Sequence, residues 1–496
     1  MLKNTRLLIA LAVLGGVSML APAGAETGPR HVRAFSDGPA DPQDGMEADE
    51  AEKWEEATHS DDIEHPAAEG STVFDCSHAE ETDAEDRREA SPEPSRKGCR
   101  PVAKRRTLTL PITTSPLETA MPVNAAGMTD TTLLNKHARL SIHHVYPICA
   151  EARCAHHGRK SIIAVHGRSV DPVTALDLRY GNYSLMVALA RAGFNVYAPS
   201  FVGFGKSSRF MLDDPCNATL AEQATFLVNF NNPISQTCGA DSSAFTTNEE
   251  QVHELQQVVK YVQRVNHNPE VHLLGFSNGG STAGVYTLQH AEDIKSVFFI
   301  APQSASAGAG AERPANSSTL WNPKRPLELR DRTTGMLDNF KCYTGGTFGN
   351  GTLANCCPGQ RDLAIDQQIW DSLRAYDALG SKWGSQDPIL GGVLRAPRRV
   401  IWGWVPATQS QFARPAMLVR GELDNNINPV NYRNMVTALG SAIQPTPAKI
   451  VLNVPCASHG IVWEKEAHAI VRDAALEWFL HQTYRGHSTG EFRAAP

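Results

Sequence analysis

The stretch Val271-His272-Leu273-Leu274-Gly275-Phe276-Ser277-Asn278-Gly279-Gly280 is an apolar run that ends in Gly-x-Ser-x-Gly and leads into a segment with helical spacing. Such a stretch reads as a buried strand, a tight turn and a helix. A side chain presented on that turn sits on strained backbone. The residues two positions to either side must then be small, which Gly275 and Gly279 satisfy. The helix that follows points its first N–H groups at the turn, where developing negative charge would be stabilised. Ser277 is therefore the candidate nucleophile. The pentapeptide alone is common; its strand–turn–helix setting gives it weight.

A serine hydroxyl is a weak nucleophile and needs a base that an acid orients. Downstream, the apolar run Pro415–Arg420 ends in Gly421-Glu422-Leu423-Asp424. The next run, Lys449–Val454, ends in Pro455-Cys456-Ala457-Ser458-His459-Gly460. An acid and then a histidine follow two successive strands, at the carboxyl edge where α/β sites form. His459 is the candidate base. Asp424 is the candidate acid, ahead of its rival Glu422, because it lies further into the loop. An oxyanion hole needs a second N–H beside that of Asn278. The run Ser161–Val165 ends in His166-Gly167-Arg168-Ser169, whose glycine lets the backbone face the nucleophile, and the second N–H is assigned to Arg168. His166 is read as a structural hydrogen-bonding residue.

From about residue 137 short β-branched runs alternate with amphipathic segments. Besides the runs already named, Arg139–Val145, Asn195–Pro199 and Ser296–Ala301 read as strands. Ser184–Ala192, Glu250–Val265, Ser281–Ala291, Asn431–Leu439 and Trp463–Gln482 read as helices. In the second of these, Val252, Leu255, Val258, Val259 and Val262 recur at helical spacing. The alternation predicts an α/β architecture, a mostly parallel sheet covered on both faces. Residues 302–412 break the rhythm. They are rich in Gly and Pro, lack a clear strand, and hold three cysteines and five of the eight tryptophans (Trp321, Trp370, Trp383, Trp402, Trp404). They read as an inserted cap that divides a core of residues 107–301 and 413–496.

In this order, the His-Gly turn at 166–167, Gly203-Phe204-Gly205-Lys206-Ser207-Ser208, the elbow at 275–279, Arg420-Gly421-Glu422-Leu423-Asp424 and Ser458-His459 resemble an α/β-hydrolase fold enzyme over about residues 137–485. The resemblance implies Ser277 as nucleophile, His459 as base and Asp424 as acid. Haloalkane dehalogenases and epoxide hydrolases of this fold use an Asp nucleophile, and Ser277 speaks against both. The long leader and a cap of about 110 residues depart from the small members and leave the substrate open.

The net charge of −7 is unevenly spread: residues 41–90 hold 19 Asp/Glu against 3 Lys/Arg, whereas residues 107–496 sum to +2. No dense cationic face is available for nucleic acid. Lys3 and Arg6, the apolar run Leu7–Leu20 and Ala23-Gly24-Ala25 read as a signal peptide over 1–25. The expected location is secreted or periplasmic, with no integral membrane span. Residues 26–106 offer too little apolar surface to offset chain entropy and read as an acidic disordered leader, ending in Lys104-Arg105-Arg106. All ten cysteines lie beyond the cleavage point, which suggests disulfides. Local pairs are Cys149–Cys154, Cys216–Cys238, and Cys342 with Cys356 or Cys357. Asn182, Asn217, Asn316 and Asn350 head glycosylation sequons. Gly205-Lys206-Ser207 mimics a phosphate loop, but the glycine that motif needs five residues earlier is Ser200.

These readings converge on an exported serine hydrolase that cleaves a carboxylic ester, with no cofactor and no metal. The cap tryptophans suggest a small-molecule or short-peptide substrate with an apolar portion. One alternative is an aminopeptidase or amidase of the prolyl-aminopeptidase type, which would need a cap carboxylate for a free amine, with Glu328, Asp331 and Asp338 available. A second is a non-catalytic binding protein that kept the fold.

Overall fold

The runs at 161–165, 271–276 and 449–454 form strands with the expected bounds, short apolar runs that a central parallel sheet buries on both faces. The computed structural model describes residues 102–115, 135–148, 160–227, 247–304, 325–342, 357, 359–398, 402–440 and 449–495. In chain order the strands are β1 (Val102–Thr113), β2 (His137–Ile148), β3 (Ser161–Val165), β4 (Asn195–Ser200), β5 (Val271–Phe276), β6 (Ile294–Ile300), β7 (Leu327–Arg330), β8 (Leu394–Pro397), β9 (Ala416–Gly421), β10 (Lys449–Val454) and β11 (Thr489–Arg493). The helices are α1 (Pro172–Leu176), α2 (Leu185–Arg191), α3 (Leu220–Phe226), α4 (Asn248–Asn266), α5 (Asn278–Gln289), α6 (Arg332–Gly335), α7 (Leu363–Tyr376), α8 (Pro406–Gln409), α9 (Pro429–Gly440) and α10 (Ala467–His481).

Nine strands make one sheet in the order β1-β2-β4-β3-β5-β6-β9-β10-β11. The β1–β2 and β2–β4 pairings are antiparallel, and the rest of the sheet is parallel. Successive strand residues enter opposite cores. Leu274, Phe276 and Met417 pack with α2 and α10, while Leu273, Phe299 and Leu418 pack with α4 and α5. The predicted stripe of α4 is wholly buried, and the Thr247 side chain caps the helix by accepting from the Glu250 N–H at 3.3 Å. This arrangement leaves the loops after β3, β5, β9 and β10 side by side at one edge.

The structure corrects three boundaries. Val102–Arg106, read as the end of the leader, form the first part of β1 in register with β2. Periodicity missed them because β1 is an edge strand: its backbone ladder suffices, and of its side chains only Leu110 and Ile112 are buried. Arg105 donates to buried Asp177 at 2.7 and 2.9 Å, so this basic triplet belongs to the fold. The cap does contain strands, since β7 and β8 pair antiparallel as a separate two-stranded sheet. Four residues each is too short a run for alternation to show. Finally, the cap's limits differ from 302–412. Ala218, Phe226 and Leu227 join its small core with Leu327, Leu329, Trp383 and Val393. Trp402, Trp404 and Phe412 belong instead to the main core.

Four of the five cap-segment tryptophans are thus buried in packing (Trp370, Trp383, Trp402 and Trp404), and Trp321 lies outside the described residues. Their burial withdraws the argument for an apolar substrate that the sequence drew from them. Cys357 pairs with Cys456, Cα atoms 5.6 Å apart across 99 residues, so Cys342 is not Cys357's partner. Cys216 and Cys342 are also disulfide-bonded. The other cysteines, the signal segment and residues 26–101 lie outside the described residues. Asn217 is fully buried, which removes its sequon as a modification site in the folded chain, whereas Asn182 is exposed. No helix among the described residues is long and apolar enough to cross a membrane.

Candidate active site

Ser277 stands between β5 and α5 with φ 54° and ψ −119°. Its N–H donates to Ile300 O of the neighbouring strand at 2.8 Å, and its carbonyl accepts from Gly280 and Gln303 at 3.0 and 3.1 Å. The flanking glycines have no space for a side chain. A Cβ on Gly279 would fall 2.3 Å from Val165 O, and one on Gly275 2.7 Å from Gly280 Cα. The close approach expected from the motif is real, and it brings the loop after β3 against the serine.

His459 and Asp424 reach the same point from the loops after β10 and β9. His459 Nδ1 lies 2.9 Å from Asp424 Oδ2, and His459 Nε2 lies 2.9 Å from Ser277 Oγ. A carboxylate only accepts, so Nδ1 carries the ring proton and Nε2 is left to accept from the serine hydroxyl. Asp424 is fully buried, and its other oxygen accepts from the Asn426 and Ile427 N–H groups at 2.9 and 3.0 Å. Phe276 stacks on the imidazole with centroids 5.5 Å apart. The rival Glu422 points away, held by Arg493 of the outer strand at 2.5 and 2.8 Å.

Asn278 is the first residue of α5, and its amide side chain donates to Gln303 Oε1 at 3.2 Å. Gly167 packs against the serine, since a Cβ there would lie 3.4 Å from Ser277 Cβ. The Arg168 that follows sends its guanidinium into the cap, 3.0 Å from Glu328 Oε2 on β7. Burial alone would raise the Glu328 carboxyl, but the Arg168 and Arg330 charges hold it below its ordinary range. His166 is buried with Nδ1 2.7 Å from Gly167 O, a structural position. The Gly203–Ser208 segment is a turn, in which Ser207 Oγ donates to Ser200 O at 2.5 Å. It is not the mouth of a helix, so the phosphate-loop likeness is one of letters only.

The cap lies directly over the acid and the base. Asp424 and Cys342 form an antiparallel bridge. Asn339 O accepts from Gly460 N at 2.7 Å and lies 2.9 Å from Ser458 Oγ, whose single proton is directed to Glu464. Behind His459 sits fully buried Glu464, which accepts from Ser458 N at 3.0 Å, from the Ser458 hydroxyl and from Gln360 Nε2 at 2.7 Å. Sequence reasoning missed this layer. A glutamate five residues after a histidine has no spacing signature, and its partners come from the cap.

The family profile described as alpha/beta hydrolase fold matches residues 169–466, and the protein belongs to that family. It is a hydrolase by family. Solved structures similar to it include a monoacylglycerol lipase from Paleococcus ferrophilus (18% identity, 66% of this chain and 95% of that one, TM-score 0.34). A soluble variant of the Saccharomyces cerevisiae monoglyceride lipase shows 14% identity over 70% of this chain and 93% of its own, with TM-score 0.39. The Vigna radiata epoxide hydrolase mutant M263Q shows 12% identity over 70% and 96%, with TM-score 0.40. A search of curated protein sequences found no match.

Proposed function

We propose that the protein is an exported serine hydrolase that cleaves a carboxylic ester through an acyl-enzyme. The observation that carries this reading is the Ser277–His459–Asp424 chain, two 2.9 Å contacts ending on a buried carboxylate, at the strand-to-helix elbow. Ser277 Oγ attacks the carbonyl carbon while its proton passes to His459 Nε2. The imidazolium, held by Asp424, then protonates the departing alkoxide. The Asn278 and Arg168 N–H groups receive the oxyanion. In the second half a water gives its proton to His459 and its oxygen to the acyl carbon, and the carboxylic acid leaves as Ser277 recovers its proton. The disulfides at Cys216, Cys342 and Cys357–Cys456 support an oxidising compartment and hence export.

The aminopeptidase alternative loses support in the cap. A free amine needs a carboxylate to hold it, and all three candidates are engaged. Glu328 pairs with Arg168 and Arg330 at 3.0 and 2.8 Å. Asp331 caps α6 by accepting from Thr334 N at 2.8 Å, and Asp338 pairs with Lys341 at 2.9 Å. The test compares p-nitrophenyl esters with aminoacyl-nitroanilides and labels Ser277 with a fluorophosphonate. We expect ester turnover and one adduct, both lost in Ser277→Ala. Faster nitroanilide cleavage would favour the aminopeptidase, and neither label nor turnover would favour the non-catalytic binding protein.

A further inference from the structure

We propose that Glu464 is a positioning residue for this reaction: its carboxylate clamps Ser458, so holding the His459 ring between Asp424 and Ser277, and its charge favours the imidazolium formed during acyl transfer. The inference rests on His459 being the base. Glu464 is fully buried, yet it has no ion-pair partner among the described residues. Such a group is costly to keep unless its lone pairs are filled and its charge is used. The lone pairs are filled from two sides. Ser458 supplies its backbone N–H at 3.0 and 3.3 Å and its hydroxyl, while Gln360 supplies an amide hydrogen at 2.7 Å.

Ser458 immediately precedes His459, so fixing that residue's N–H and hydroxyl fixes where the imidazole begins. The same hydroxyl faces Asn339 O at 2.9 Å, which ties the clamp to the cap segment that covers Asp424. Burial pushes the Glu464 carboxyl up to about 7, partly offset by its Ser458 and Gln360 hydrogen bonds and reinforced by nearby Asp424. Both protonation states can be accommodated, because buried Gln360 Oε1 has no partner and would accept from a protonated Glu464 once the amide turns over. The other ionisable groups of the packed elements are occupied or turned outward. Arg361 is held by Asp366, Lys341 by Asp338, His468 Nδ1 faces the Glu464 carbonyl at 2.8 Å, and Lys465 and Glu466 are exposed.

Glu464→Gln keeps the shape and removes the charge. With a p-nitrophenyl ester we expect its kcat to fall about tenfold below that of the intact protein at pH 8.5 with KM nearly unchanged, and the two to converge by about pH 5.5, where Glu464 is protonated. Gln360→Leu removes a donor to the carboxylate and should displace the limb of the pH profile set by Glu464 ionisation, distinct from that of the base His459, upward by roughly half a unit or more. A kcat ratio that stays constant across pH, or a loss confined to KM, overturns the proposal. Should Glu464→Gln fail to fold, an unshifted limb in Gln360→Leu overturns it alone. Fluorophosphonate labelling separates the levels. An intact protein that neither labels nor turns over sinks the serine-hydrolase reading and this role with it, whereas normal labelling with a pH-independent ratio removes only the role of Glu464.

Discussion

Ser277 occupies a backbone region, φ 54° and ψ −119°, that side chains with a Cβ rarely adopt. Such conformations cost on the order of 1–3 kcal/mol and persist where surrounding structure enforces them, as the ladder bond to Ile300 and the packed glycines do here. The strain has a checkable signature. Ser277→Ala and Ser277→Gly should both be inactive, but the glycine variant should be the more stable of the two by about 1 kcal/mol in urea denaturation. At an unstrained position the order is reversed, because glycine costs more chain entropy. A more stable alanine variant would mean the elbow is relaxed.

Among the elements, the cap is held together by buried charge as much as by apolar contact. Arg395 on β8 forms a bidentate pair with Asp377, which follows α7, at 2.5–3.1 Å, and reaches Asp213 at 2.7 Å. Asp377 also accepts from the Arg395 and Gly380 N–H groups at 2.9 and 3.1 Å, so one carboxylate gathers two segments. Removing the cation would leave that carboxylate buried with two backbone N–H donors but no countercharge within the cap. Arg395→Met should therefore cost about 3–5 kcal/mol, detectable as an early transition of the cap in denaturant while the sheet remains folded. A cost below about 1 kcal/mol would show that apolar packing around Trp383 holds the cap unaided. Arg168–Glu328 links the same cap to the loop that carries the proposed oxyanion N–H.

Over the whole molecule, buried titratable groups set how stability varies with pH. Burial pushes Glu464 up to about 7 and Glu250 to about 8, the latter partly offset by the Ser115 N–H. A carboxyl raised on folding binds a proton that the unfolded chain has released, so stability falls as pH rises towards the folded value. Buried His144 and His272, lowered to about 3, act oppositely, but only below the ordinary histidine range. Between pH 6.5 and 8.5 the carboxyls are therefore unopposed, and the melting temperature should decline across that window. Glu250→Gln should flatten the decline. A midpoint rising from pH 6.5 to 8.5 would contradict this assignment. Below pH 4 a different group takes over. The His143 and Arg105 hydrogen bonds outweigh burial to hold Asp177 at about 2, so its contribution is lost as pH falls from about 4 to 2.

The central strands of the sheet, the elbow and the three residues that meet there are legible in the sequence, whereas the exposed outer strands β1 and β11 are not. Each of the former is encoded locally: short apolar runs give buried strands, two glycines fix a turn that nothing larger fits, and an acid and a histidine at the ends of β9 and β10 are carried to one edge by parallel pairing. The rest depends on contacts between distant segments, which local pattern does not encode. Strand β1 is charged and exposed yet pairs along its length. The cap tryptophans proved to be packing. Asp424 rather than Glu422 lies against His459, and Arg493, far along the chain, holds the latter. Glu464 became visible only when Gln360 and Asn339 were seen beside it, since a buried carboxylate is defined by its neighbours in space. The three contacting residues were legible because they sit where strands end; the groups that brace them were not, because they come from the cap.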